Sequence, residues 1–191
     1  MPLIARSRST GEKISVLDFK SADEIRSKHS PDDLICPHCQ KVMMIRQTNV
    51  LYFEHLDCGT KLSYERSTAT HLTAKSALFK NLEDEFKNYN CKISCEAAVP
   101  ELNRIVDFLI EFPLGYSIIY EILFTPHDIP KIKEKYNNAI TAGYDIAFFL
   151  CGGANTKENR EWFVEEFGNC LYLDFKVQTT ERNNSSPVAN S

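Results

Sequence analysis

The chain has 191 residues, with 22 Lys and Arg against 26 Asp and Glu and a net charge of −4. At 43% hydrophobic and 25% charged residues it has the make-up of a folded soluble protein, long enough for one sizeable domain or a domain with a small appendage. The acidic balance excludes a protein that coats nucleic acid by bulk charge, so any such contact must come from a local patch. No apolar run reaches the roughly 20 residues of a membrane-spanning helix. The opening MPLIARSRSTGEK lacks the apolar centre of a secretory signal. With seven cysteines, an odd number, this predicts free thiols in a reducing compartment, a cytoplasmic location and no membrane contact.

In chain order, residues 2–19 read as an alternating strand pair turning at Ser9-Thr10-Gly11-Glu12, and residues 21–33 as a short helix with a linker. Residues 34–64 hold a cysteine-histidine cluster. Helical spacing runs from Ser67 to Asn88, followed by strands Lys92–Val99, Arg104–Glu111 and Ser117–Phe124, the last two separated by the turn Phe112-Pro113-Leu114-Gly115. Asp128-Ile129-Pro130 opens a helix carrying Ile132, Tyr136 and Ile140, which Gly143 ends. Asp145–Cys151 has the apolar run of a strand covered on both faces. Asn155, with Glu158 three residues on, is the expected cap of a helix bearing Trp162, Phe163 and Phe167, and Leu171–Phe175 closes the order as a short strand. The tail from Lys176 has too little apolar surface to fold. The expected architecture is an α/β core over residues 65–175, preceded by an N-terminal strand pair and linker (1–33) and a metal module (34–64), and followed by a disordered tail (176–191).

The metal module rests on spacing. Cys36 and Cys39 are followed by His55 and Cys58 in the pattern Cys-x2-Cys-x15-His-x2-Cys, and the intervening Val42–Phe53 reads as two strands joined at Gln47-Thr48-Asn49. Zinc takes four thiolate or imidazole ligands in a tetrahedron, and a hairpin would bring the two pairs face to face as a closed structural Zn2+ site. His38 competes with His55 as the nitrogen ligand from inside the first pair. Cys91, Cys95, Cys151 and Cys170 have no such neighbours and read as small buried side chains.

The second cluster lies in CEAAVPELNRIVDFLIEFPLGYSIIYEIL, residues 95–123. Strand alternation places Asp107 with Leu109, and Glu121 with Ile119 and Leu123. With the turn centred on Leu114, Asp107 lies opposite Glu121. Two carboxylates among Ile, Val and Phe repel and are costly to desolvate, and a divalent cation such as Mg2+ removes both problems. Glu96 on the preceding strand is a candidate third carboxylate, whereas Glu111 at the turn reads as solvated. On the helix, His71, Lys75, Leu78, Leu82 and Phe86 form one stripe whose apolar end would pack on the hairpin. That packing would bring His71 and Lys75 beside the acids, where lysine stabilises phosphate charge and histidine contacts phosphate or positions water.

These residues resemble the competence protein CoiA-like family, whose members carry a PD-(D/E)XK nuclease core. The resemblance covers most of residues 3–151 and is carried by ICPHC with FEHLDC, THLTAK, CEAAVPELNRIVDFLI, YEILFTPHDI and YNNAITAGYDIAFFL, in that order. It implies a restriction-endonuclease-like fold, a central mixed sheet flanked by helices, with a zinc-ribbon-like module in front. It also implies Mg2+- or Mn2+-dependent cleavage of DNA. Asp107 and Glu121 would be ligands of the catalytic ion, Glu96, His71 and Lys75 supporting catalytic residues, and Arg104 a DNA contact. Leu123 stands where the pattern places Lys or Gln. Either Lys75 takes that role from the helix, or the chain is an inactive nuclease-like zinc protein that binds DNA or a protein partner. The N-terminal strands leave pairing with a second copy open.

Overall fold

The computed structural model describes residues 2–48, 50–55, 69–124 and 129–173. Its centre is a five-stranded mixed sheet of β6 (Lys92–Val99), β7 (Arg104–Glu111), β8 (Ser117–Leu123), β9 (Asp145–Cys151) and β10 (Leu171–Leu173), in the order β10-β9-β8-β7-β6. The first three strands form an antiparallel meander, and β9 and β10 join it in parallel. Three strands begin and end where the apolar pattern places them. In β9, Phe148 and Leu150 face one layer of helices while Phe149 and Cys151 face the other, as a doubly covered strand requires.

One face of the sheet carries α2 (Ala69–Phe86). Leu72, Ala74, Leu78 and Leu82 pack against Phe108, Ile110, Ile122 and Cys151. Each large apolar side chain buried there contributes about 1.5–3 kcal/mol. The other face carries α3 (Ile129–Thr141) and α4 (Lys157–Phe167). Ile132 and Phe163 cover Leu123, Phe148 and Leu150, and Ala139 sits over Val99, Val106 and Ile119. Ile140 is half exposed, so the buried side of α3 runs through Ile132 and Ala139.

The N-terminal residues form two small sheets against the α2 face. β1 (Ile4–Ser7) pairs with β2 (Lys13–Ser15), as the turn residues indicate, and also with β3 (Leu34–Ile35), a strand too short to show a pattern. Between them α1 (Ala22–Lys28) is capped by the Ser21 hydroxyl, which accepts from the Glu24 N–H. The expected hairpin is β4 (Met44–Gln47) with β5 (Leu51–Glu54), joined through Gln47 opposite Leu51. Leu3, Ile4, Ile14, Leu34 and Phe53 share one buried cluster with α2 and β7.

Some expectations need correction. The cap of α4 is Thr156, not Asn155: Thr156 is the extended residue, and its hydroxyl accepts from the Asn159 N–H. Cys95 and Cys151 are buried as expected, but Cys91 and Cys170 are only partly so. Ser67, Asp128 and the tail from residue 174, with its expected disorder, lie outside the described residues. Among the described residues no helix is long and apolar enough to cross a membrane.

The sheet has one irregularity. Cys95 and Phe108 are paired across β6 and β7, and both face α2. Ala97 and Val106, also paired, both face α3. Regular strands would keep residues two apart on one face. The alternation resets on both strands at once, at Glu96 and Asp107, the position where the β6–β7 ladder lacks a rung. Glu96 has φ +50°, a left-handed conformation that non-glycine side chains adopt at a cost of order 1–3 kcal/mol.

Candidate active site

The paired irregularity turns two carboxylates toward α2. Lys75, 1% exposed, projects from α2 between them: its Nζ lies 2.7 Å from Asp107 Oδ1 and donates to Glu96 Oε1 at 3.3 Å. His71, one turn earlier on the same stripe, places Nε2 at 3.6 Å from Asp107 Oδ2. That oxygen also accepts the Ile122 main-chain N–H at 2.9 Å, just past the last β7–β8 rung at Phe108 and Tyr120. Burial alone would raise the Asp107 pKa. The Lys75 ammonium, together with charge and hydrogen bonding from His71, outweighs it and holds the carboxyl well below the usual range.

Glu121 belongs to a different cluster. The β7–β8 register is the one the turn at Leu114 predicts, with Leu109 opposite Ile119. Ile119 and Leu109 face α3, and Glu121 follows them, meeting Arg104 Nη2 at 3.1 Å and Lys135 Nζ of α3 at 3.7 Å. The expected common face for Asp107 and Glu121 is therefore not what the strands present, because the irregularity at residue 107 turns Asp107 to the α2 side. Leu123, on the Glu121 side, is 1% exposed in the core under α3 and α4. Glu111 is half-exposed at the end of β7 and paired with the exposed Lys92.

Sequence reasoning missed the supporting groups. Phe124 stacks on the His71 ring at 6.0 Å between centroids, and a Cβ on Gly152 would fall 2.7 Å from the Phe124 ring. Gly152 has φ +52°, so both its conformation and the space beside it require glycine. Lys135 gave no signal beyond its place in a polar stretch. Glu96 Oε2 accepts the Leu3 main-chain N–H at 2.8 Å, a contact that no pattern reveals.

The cysteine cluster forms as the spacing implies for the residues described. Candidate ligand atoms of Cys36, Cys39 and His55 all lie within 4.8 Å of one another, and His55 Nδ1 is buried with no hydrogen-bond partner among the described residues. Two thiols and an imidazole suit a soft or borderline ion. His55 rather than His38 is the nitrogen of this group. His38 is held below the usual imidazole pKa by burial, against the Glu96 charge and with His55. Cys58 lies outside the described residues. The three carboxylates Glu96, Asp107 and Glu121 do not form such a compact group among the described residues.

No protein-family model matches the chain, and no curated protein matches it in sequence. Among solved structures it is similar to a repair endonuclease from Pyrococcus abyssi, at 16% identity and a TM-score of 0.35. The match covers 60% of this chain and 49% of that one, so the chain spans about half that protein's length.

Proposed function

We propose that the α2-face cluster is the catalytic centre of a divalent-metal-dependent DNA nuclease with a restriction-endonuclease-like core of the CoiA-like type. The observation that carries this reading is the Lys75 ammonium, buried between Asp107 and Glu96 while Leu123 is committed to the core. The lysine that the strand lacks is supplied from the helix. The donor chemistry suits a hard cation, since carboxylate oxygens of Asp107 and Glu96 already converge on a positive charge. Asp107 would hold Mg2+ or Mn2+, while Glu121, paired with Arg104 and Lys135 on the α3 face, would brace the sheet behind it. Such an ion polarises a phosphate oxygen and lowers the pKa of bound water.

The chain's own groups do the rest. Asp107, held ionised, keeps its charge throughout the neutral range. Lys75 stabilises charge developing on the phosphate, His71 orients water or a phosphate oxygen through Nε2, and Glu96 fixes Lys75. Arg104 contacts DNA, and a structural Zn2+ at Cys36, Cys39, His55 and Cys58 steadies the grip. The test is cleavage of single- and double-stranded DNA in Mg2+ or Mn2+. Activity abolished by chelation and by Lys75→Met is the expected result. Salt-dependent DNA binding without cleavage favours the second reading, an inactive nuclease-like binding protein. That reading draws on the same ion pairs, because Lys75 and Arg104 neutralise acids within the fold.

A further inference from the structure

The two halves of the candidate site meet at the N-terminal strand. Glu96 sits in a left-handed conformation, buried, with one oxygen on Lys75 and the other on the Leu3 amide. Leu3 immediately precedes β1. Its amide is committed to Glu96, while its carbonyl accepts the Val16 N–H. The preceding carbonyl, of Pro2, accepts the Phe53 N–H of β5 at 2.9 Å. On the edge away from β2, β1 pairs with β3 through Arg6 opposite Ile35 and Ser7 opposite Leu34. The candidate metal ligands stand at the ends of these same two strands: Cys36 directly follows β3, and His55 directly follows β5. An ion joining Cys36 and Cys39 to His55 ties together β3 and β5, the strand that pairs with β1 and the strand that bonds the Pro2 carbonyl just before it.

We infer that the cysteine-histidine metal site is a clamp on β1, and that through β1 it sets the position of Glu96, with the Leu3 main-chain amide as the positioning group. The clamp acts on a residue bearing local backbone strain. A left-handed glutamate persists only where its surroundings over-determine it, and the Leu3 amide is one of those constraints. When the metal leaves, β3 and β5 keep their packing but lose this tie at their ends, the Leu3 amide releases Glu96, and Lys75 loses one of its two carboxylate partners. This inference rests on the nuclease reading only for its effect on cleavage. The link from metal to Glu96 stands apart from it.

Amide hydrogen exchange by NMR on the full chain, with Zn2+ bound and after chelation, tests the clamp whether or not DNA is cut. In the Zn2+-bound protein the Leu3 amide is protected, and Glu96→Gln speeds its exchange roughly 10- to 100-fold, the equivalent of a hydrogen bond to a charged group. Chelation accelerates Leu3 by a similar factor while Phe108 and Ile110 in the central sheet keep their protection, and re-adding Zn2+ restores it. Cys39→Ser in the presence of Zn2+ reproduces the chelated pattern. Unchanged Leu3 exchange on chelation would overturn the clamp. So would loss of protection throughout the sheet, since the metal would then hold the whole fold and not β1 in particular. If cleavage is also present, chelation followed by Mg2+ lowers it in wild type and lowers it no further in Glu96→Gln.

Discussion

Two clusters of opposite charges lie on the two faces of one sheet, a strand apart. Under α2, two carboxylates share a lysine, beside a histidine that stacks on an aromatic ring. Under α3, one carboxylate meets an arginine and a lysine. The first is built on strained backbone and a broken ladder, whereas Glu121 lies on a β8 strand paired in regular register with β9. Strain is retained at sites where the surroundings enforce it, commonly functional ones. On the proposed reading, this difference is why chemistry belongs to the α2 face and support to the α3 face.

Removing the lysine breaks the comparison most directly. Lys75→Met should lower cleavage by about two to four orders of magnitude, as loss of a charge-stabilising or proton-handling group does. Because it leaves the buried Glu96 and the mostly buried Asp107 without their shared ammonium, it should also cost about 3–5 kcal/mol, read by urea denaturation. Leu123→Lys restores the residue the strand pattern lacks, but on the wrong face. It should destabilise the protein by roughly 3 kcal/mol or more and give no gain in rate, because the new charge enters the α3–α4 core. Gly152→Ala is milder, about 1–3 kcal/mol. It pushes Phe124 off His71, so its signature is a lowered cleavage rate alongside the lowered stability.

The smallest effect lies in pH. The Asp107 pKa is depressed in the folded state, so its contribution is present in full above the unfolded carboxyl value near about 4 and fades as pH falls below it. The stability gap between wild type and Asp107→Asn should therefore narrow on acidification from pH 5 downward. A gap that stayed constant would show that Asp107 is not held ionised by Lys75 and His71.

Much of this was legible in the sequence, for physical reasons. The boundaries of β6, β7 and β9 follow from apolar runs broken by proline, glycine and asparagine. The register of the acidic hairpin follows from its turn, and the α2 stripe follows from its spacing of threes and fours. The faces of Glu96 and Asp107 were not legible. An irregularity in one strand would shift the register and show itself, but here the two strands reset together and the pairing beyond is unchanged. Neither Leu3 nor Lys135 carries a pattern, since a main-chain amide and a surface-helix lysine look alike in any sequence.

The most direct measurement is the Mg2+- or Mn2+-dependent cleavage rate of Asp107→Asn beside Glu121→Gln, both verified as folded by circular dichroism. Two separate faces predict a loss of about a thousandfold for Asp107→Asn and less than about tenfold for Glu121→Gln. Equal losses would contradict the account, because the two acids would then act as one pair on a shared ion.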